Sequence, residues 1–272
     1  MRKHSKVTYY SDILHVIWQK KNENTFIMKK HWIILSAFVL LALGSCNKFL
    51  LSDIIETNEY SIEGTYTELQ VENAFDVTVT DTATKITVYA DQNVMPYVVV
   101  ENIGDKLKIY LKSFTFNIGT DLELSVVLPY NPDLKKVKLS GASEFHSEYG
   151  LEGDEVEVKL SGASDFDCDI YANEAEIDLS GASNATITGQ VTTLDIELSG
   201  ASNIKKTVNG SRYGFACDHC EGVLSGASNA YLHCDGSINV SLSGASDLHY
   251  TGDASTTGSH TSGGSDLIHD KL

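Results

Sequence analysis

The pentad Leu-Ser-Gly-Ala-Ser occurs six times in this chain of 272 residues, at Leu139–Ser143, Leu160–Ser164, Leu179–Ser183, Leu198–Ser202, Leu224–Ser228 and Leu242–Ser246. A degenerate seventh copy reads Ser262-Gly263-Gly264-Ser265. The first serines stand at 140, 161, 180, 199, 225, 243 and 262, so the spacings are 21, 19, 19, 26, 18 and 19 residues. A period of this size marks a chain that stacks one small unit on the next, because no single unit can bury its apolar face alone. The spacing of 26 holds an insertion around Lys205–Gly214.

Columns of the repeat predict its local structure. Two and four residues before the leucine stand pairs such as Val158 and Val156, Ile177 and Ala175, Ile196 and Leu194, Val240 and Ile238. Six and eight residues after it stand Phe166 and Cys168, Ala185 and Ile187, Ala230 and Leu232, Leu248 and Tyr250. Period-two alternation on both sides predicts two short strands per copy with the pentad as the corner between them. The corner glycines Gly141, Gly162, Gly181, Gly200, Gly226 and Gly244 are expected at positive φ. Ser140, Ser161, Ser180, Ser199, Ser225 and Ser243 would form a ladder from copy to copy. The next column, Glu144, Asp165, Asn184, Asn203, Asn229, Asp247 and Asp266, has the turn-forming side chains of such a corner.

Ahead of the repeat, Val71, Phe75, Val77 and Val79, then Ile86 and Val88, then Leu107, Ile109 and Leu111, then Leu122, Leu124 and Val126 also alternate with polar residues. The expected fold class is therefore all-β: a β-helix-like solenoid of about seven rungs, preceded by a strand-rich block. At about 4.8 Å per rung the rod would be roughly 30 Å long.

The first 45 residues differ from the rest. They hold both tryptophans, and from Met28 they read as two lysines, an apolar run Trp32–Leu43, and the small residues Gly44 and Ser45 before Cys46. That is the layout of a signal peptide, with residues 1–27 an over-extended start. The run is shorter than the ~20 residues that span a bilayer. Leu43-Gly44-Ser45-Cys46 resembles the lipobox of bacterial lipoproteins, which implies acylation of Cys46 and anchoring in a membrane through acyl chains. Asn47 is not the aspartate that retains some lipoproteins at the inner membrane, so the expected location is the outer membrane, on its periplasmic face or at the cell surface. The predicted organisation is 1–45 leader, 46–65 tether and 66–272 repeat-bearing domain.

The formal net charge is −17, and beyond residue 45 there are 13 basic against 35 acidic side chains. A chain this acidic lacks the positive footprint that nucleic acid requires, so no nucleic-acid partner is expected.

The Leu-Ser-Gly-Ala-Ser-Asp/Asn-apolar repeats, the preceding Phe75-Asp-Val-Thr-Val and Lys106-Leu-Lys-Ile strands, and the strand ending Leu128-Pro129 resemble the auto-transporter adhesin head GIN domain family of Bacteroidetes, from about residue 66 onward. The resemblance implies a β-helix-like fold, export to the envelope and an adhesive role without enzymatic activity.

Three constellations bear on chemistry. Cys217-Asp-His219-Cys220 with His233-Cys234 has the residue types of a zinc or redox site. The repeat columns instead turn Cys168, Cys220 and Cys234 inward and His219 and His233 outward, which leaves buried thiols, or a disulfide among Cys217, Cys220 and Cys234. Asp247 and Asp266 are adjacent aspartates, yet the asparagines of that column suit a turn ladder better than a calcium string. Those two carboxylates also have the spacing of a glycosidase pair, but their column lacks one functionally distinct rung and the repeats carry few cations for uronates. No metal and no cofactor is expected. The insertion brings Lys205, Lys206 and Arg212 beside Tyr213, which marks it as the candidate binding loop for a glycan or protein ligand. The expected function is a lipid-anchored envelope binding module; the alternatives are a periplasm-facing structural or sensing lipoprotein and, third, a polysaccharide-degrading enzyme.

Overall fold

The computed structural model describes residues 52, 54–62, 64–112 and 122–271, all within the unit Leu50–Leu272. The expected leader and the expected acylation site Cys46 lie outside the described residues. Seven strands precede the first pentad: β1 (Ile55–Tyr60), β2 (Glu68–Val71), β3 (Asp76–Thr80), β4 (Ile86–Asp91), β5 (Val98–Ile103), β6 (Lys106–Leu111) and β7 (Leu124–Pro129). From Lys136 follow β8 (Lys136–Leu139), β9 (Glu144–Ser147), β10 (Leu151–Leu160), β11 (Asp165–Leu179), β12 (Asn184–Leu198) and β13 (Asn203–Ile204). The insertion contributes β14 (Val208–Asn209) and β15 (Arg212–Tyr213), and the remainder is β16 (Phe215–Leu224), β17 (Asn229–Leu242), β18 (Asp247–Thr251), β19 (His260–Thr261) and β20 (Asp266–His269). The protein is all-β, and 18 of these strands belong to one large sheet, with β14 and β15 paired separately.

Each copy pairs in parallel with the next at an offset equal to the sequence spacing. Leu160 lies opposite Leu179, Leu179 opposite Leu198, and Leu198 opposite Leu224 across the insertion. The inward columns consequently meet like with like, and all six pentad leucines are buried. Phe145 and Phe166 stack at 5.4 Å between ring centroids. Each such side chain contributes about 1.5–3 kcal/mol by leaving water, so the stacked columns are the main source of stability.

Continuation of the stack below the first pentad is the feature least visible in the sequence. β2 pairs in parallel with β8, and β3 with β9, so Val71 lies opposite Leu139 and Asp76 opposite Glu144. The segment Glu72-Asn73-Ala74-Phe75 thus stands level with Ser140–Ser143. Asn73 occupies the glycine place with φ +86, and its side chain accepts a 2.8 Å hydrogen bond from the Leu111 amide below. Asparagine tolerates that backbone region better than most residues, and here its side chain also terminates the column.

Antiparallel pairs close this end: β1 with β4, β4 with β7, and β5 with β6. β1 falls in the segment expected as a tether. Its residues are mostly exposed and lack apolar alternation, and backbone pairing along the edge of β4 is what makes them a strand. No helix among the described residues is long and apolar enough to cross a membrane.

On the outward face before the pentads, Glu157 is buried among three lysines, at 2.9 Å from Lys136 and 3.2 Å from both Lys138 and Lys159. Burial pushes its carboxyl up, but the three hydrogen-bonded ammonium groups outweigh this and bring it down to about 2.

Candidate functional site

The corners form a continuous column. Gly141, Gly162, Gly181, Gly200, Gly226 and Gly244 have φ between +77 and +85. At this point the turns approach so closely that the amide of Ala182 donates to the Gly162 carbonyl at 2.7 Å, and the same bond recurs at every corner. The amides of Ser140, Ser161, Ser180, Ser199, Ser225 and Ser243 donate to the carbonyl of the apolar residue opening the corner below, at 2.8–3.0 Å.

The serine hydroxyls do not form the side-chain ladder expected between copies. The second serine of each corner is buried, and its hydroxyl donates to the carbonyl of the first serine of its own corner, as Ser183 does to Ser180 at 2.8 Å. Where the first serine's hydroxyl is bonded, as in Ser161, Ser180 and Ser225, its acceptor is a backbone carbonyl of the turn below. The carbonyls are nearer and already aimed at the hydroxyls, so they win over the neighbouring serine. A true side-chain ladder stands one column further on: Asn229 donates to Asn203, Asn203 to Asn184, and Asn184 to the Asp165 carboxylate, at 3.0–3.1 Å. With both partners of each link internal, the corners offer little to a ligand.

The adjoining outward face differs. Parallel register builds two columns there, Asp76–Glu144–Asp165 and Thr78–His146–Asp167–Thr186, with one strand pairing, about 4.8 Å, between successive members. Together with Phe145, Phe166 and Lys205 they line a groove of about 470 Å³. Lys205 reaches Asp165 at 3.1 Å, and His146 Nδ1 lies 3.3 Å from Asp167. Four carboxylates against one ammonium make it a set of evenly spaced acceptors, with threonine, histidine and lysine donors among them. Such a surface can hold a hydroxyl-rich or cationic chain laid along the stack.

The insertion begins at this groove and then crosses away from it. Lys205 belongs to the groove, whereas Tyr213 is only 1% exposed. The Tyr213 hydroxyl donates to Asp270, which also lies 2.9 Å from His249 Nδ1. Its amide donates to Thr251 Oγ1 at 3.1 Å, and its ring meets Tyr231 edge-on at 5.5 Å. The Tyr213 hydrogen bond holds Asp270 below the usual carboxylate range, while burial and Asp270 push Tyr213 up. Lys206 covers the Tyr213 ring, its Nζ 5.4 Å from the centroid, and Arg212 is exposed at the hairpin. Tyr213 is thus a clasp between the insertion and the C-terminal segment, and the side chains left exposed include the basic Lys206 and Arg212 together with Val208, Asn209 and Ser211.

Cys168, Cys217, Cys220 and Cys234 are buried, and no two of them are joined in this structure. His219 is exposed and bonds Ser237, and His233 bonds Thr251 and Asp235. Among the described residues no group of three or more His, Cys, Asp or Glu side chains is placed to hold a metal ion.

Comparison with known proteins places this fold. Residues 65–254 match the family model described as "Putative auto-transporter adhesin, head GIN domain", and the chain belongs to that family. No curated protein matches it. Among solved structures, one described as "a putative adhesin" from Bacteroides fragilis aligns with a TM-score of 0.63 at 16% identity, over 80% of this chain and 96% of its own. Another so described, from Parabacteroides merdae, aligns at 0.60 and 18%, over 81% and 98%. A "Putative lipid binding protein" from Parabacteroides distasonis aligns at 0.61 and 18%, over 83% and 100%. At these identities the likeness is one of fold.

Proposed function

We propose that this chain is a non-enzymatic binding module of the cell envelope, a β-solenoid whose outward groove beside Lys205 holds an extended glycan or a basic protein segment. The observation that carries this reading is the pair of polar columns Asp76–Glu144–Asp165 and Thr78–His146–Asp167–Thr186, kept in register by parallel strands. Family membership and the fold shared with structures described as adhesins support a binding role. The carboxylates of the groove repeat evenly, and two are occupied by Lys205 and His146; this is an arrangement for holding rather than for acid–base work.

In this reading residues 1–45 are a leader, Cys46 is acylated, and the acyl chains anchor the solenoid at the outer membrane. The lipobox-like Leu43–Cys46 supports the anchor. Binding of the labelled protein to glycan and matrix-protein arrays tests the function. Retention on neutral or amino-bearing glycans, or on basic peptides, is the expected result, and no retention on any of them favours the structural or sensing lipoprotein instead. Addition of protease to whole cells reports which face carries the solenoid. Release from membranes on Cys46→Ala tests the anchor.

A further inference from the structure

We propose that Cys217 and Cys234 form a disulfide that staples the turn following the insertion to the next turn of the stack. β16 and β17 place the two residues directly opposite one another in parallel register. Both point into the core, 3% and 0% exposed. Register neighbours in parallel strands are about 4.8 Å apart at Cα, inside the 4.4–6.8 Å range over which disulfides close. The Cys217 thiol lies within hydrogen-bonding reach of both Cys220 and Cys234.

Other pairings lack that cross-strand register. Cys220 lies three residues from Cys217 along β16, so a bond between these two, although the thiols are within reach of one another, would close a loop inside one strand and join no two turns. Its partner across the strands is Ile238, four residues from Cys234. Cys168 stands in β11, paired with Ile187 of β12 and not with β16.

The register shifts between Cys217 and His219, where Asp218 and His219 are both exposed. A staple at this position locks the one irregular pairing between β16 and β17. The Cys220 thiol pushes Cys217 up against the opposing Cys234, the Cys217 thiol pushes Cys234 up, and burial adds to both, so the pair is held protonated in the folded chain. The bond therefore forms before the stack closes over them, since the thiolate is the attacking species. The oxidant is a low-molecular-weight disulfide. One cysteine thiolate attacks it and releases one thiolate; the second cysteine loses its proton and displaces the other. Two thiols are oxidised to one disulfide, and the small disulfide is reduced to two thiols.

The test is to refold the reduced full chain carrying Cys46→Ser with oxidised glutathione, alkylate it in denaturant, and map its peptides. The expected result is a peptide pair joined through Cys217 and Cys234, with Cys168 and Cys220 alkylated. Cys220→Ala should retain the joined pair, and the oxidised protein should melt roughly 5–10 °C above the reduced one. Four alkylated cysteines, a stable glutathione adduct, or a bond to Cys168 or Cys220 would overturn the proposal.

Discussion

The carbonyl oxygen of Gly162 lies 2.4 Å from the point a Cβ on Gly181 would occupy. No real Cβ sits that close to backbone, so one hydrogen on Gly181 is what lets two turns of the stack pass at bonding distance. The same contact, at 2.1–2.7 Å, recurs from Asn73 below Gly141 up to Gly244 below Gly263.

Gly181→Ala should accordingly cost more than a positive φ alone. The backbone region contributes about 1–2 kcal/mol, and the clash with a carbonyl that cannot move without its neighbours should bring the loss above about 3 kcal/mol. Gly210→Ala is the control, since Gly210 has φ +65 with nothing within 4 Å of the added carbon. Chemical denaturation of the two variants checks this; equal losses would show that close approach is not what the glycine serves.

Asn73 should behave as a combined turn residue and cap. Asn73→Gly keeps the backbone but leaves the Leu111 amide without its acceptor, for a loss of about 1 kcal/mol. Asn73→Ala adds the backbone penalty and should lose about 2–3 kcal/mol. The order of the two denaturation midpoints is the readout.

Acid should act through Glu157. Its carboxyl titrates near 2 in the folded protein against an ordinary value of 4.5. A depressed folded value means stabilisation that is fully present above about pH 4.5 and is lost as the pH falls toward 2. Glu157→Gln should therefore be less stable than the parent at pH 7, and the gap should close between pH 4.5 and 2. A gap independent of pH would assign the loss to packing rather than charge.

Tyr213→Phe removes only the hydroxyl that Asp270 accepts. Hydrogen exchange should then speed up in the β14–β15 hairpin and in the last residues near Asp270, with the stacked core unchanged. Unchanged protection in the hairpin would show that the clasp does not hold it.

Much of this was legible in residue order, and the exceptions have physical causes. The pentads announce their corners because glycine and small residues suit those turns, and period-two columns turn Cys168, Cys220 and Cys234 inward, whereas Cys217, three residues before Cys220, is out of phase with that alternation and is buried where β16 is irregular. The corner at Asn73 is hidden because it shares only alanine with the pentad, and Phe75 fills the place of a buried serine. β1 is hidden because an edge strand held by backbone bonds needs no apolar side chains. Tyr213 reads as a surface aromatic in a loop, since nothing local reveals that Asp270, 57 residues later, accepts its hydroxyl. The groove is hidden because Asp76 and Thr78 reach it from 68 residues before their neighbours Glu144 and His146.

In the proposed function, recognition runs through that groove. The most direct measurement is array binding by the protein carrying Asp76→Asn and Asp167→Asn together, both exposed side chains, against Glu174→Gln elsewhere on the surface. At least a tenfold loss of binding is expected for the groove variant, with an unchanged melting temperature, and parental binding for Glu174→Gln. Parental binding by a folded groove variant would contradict it.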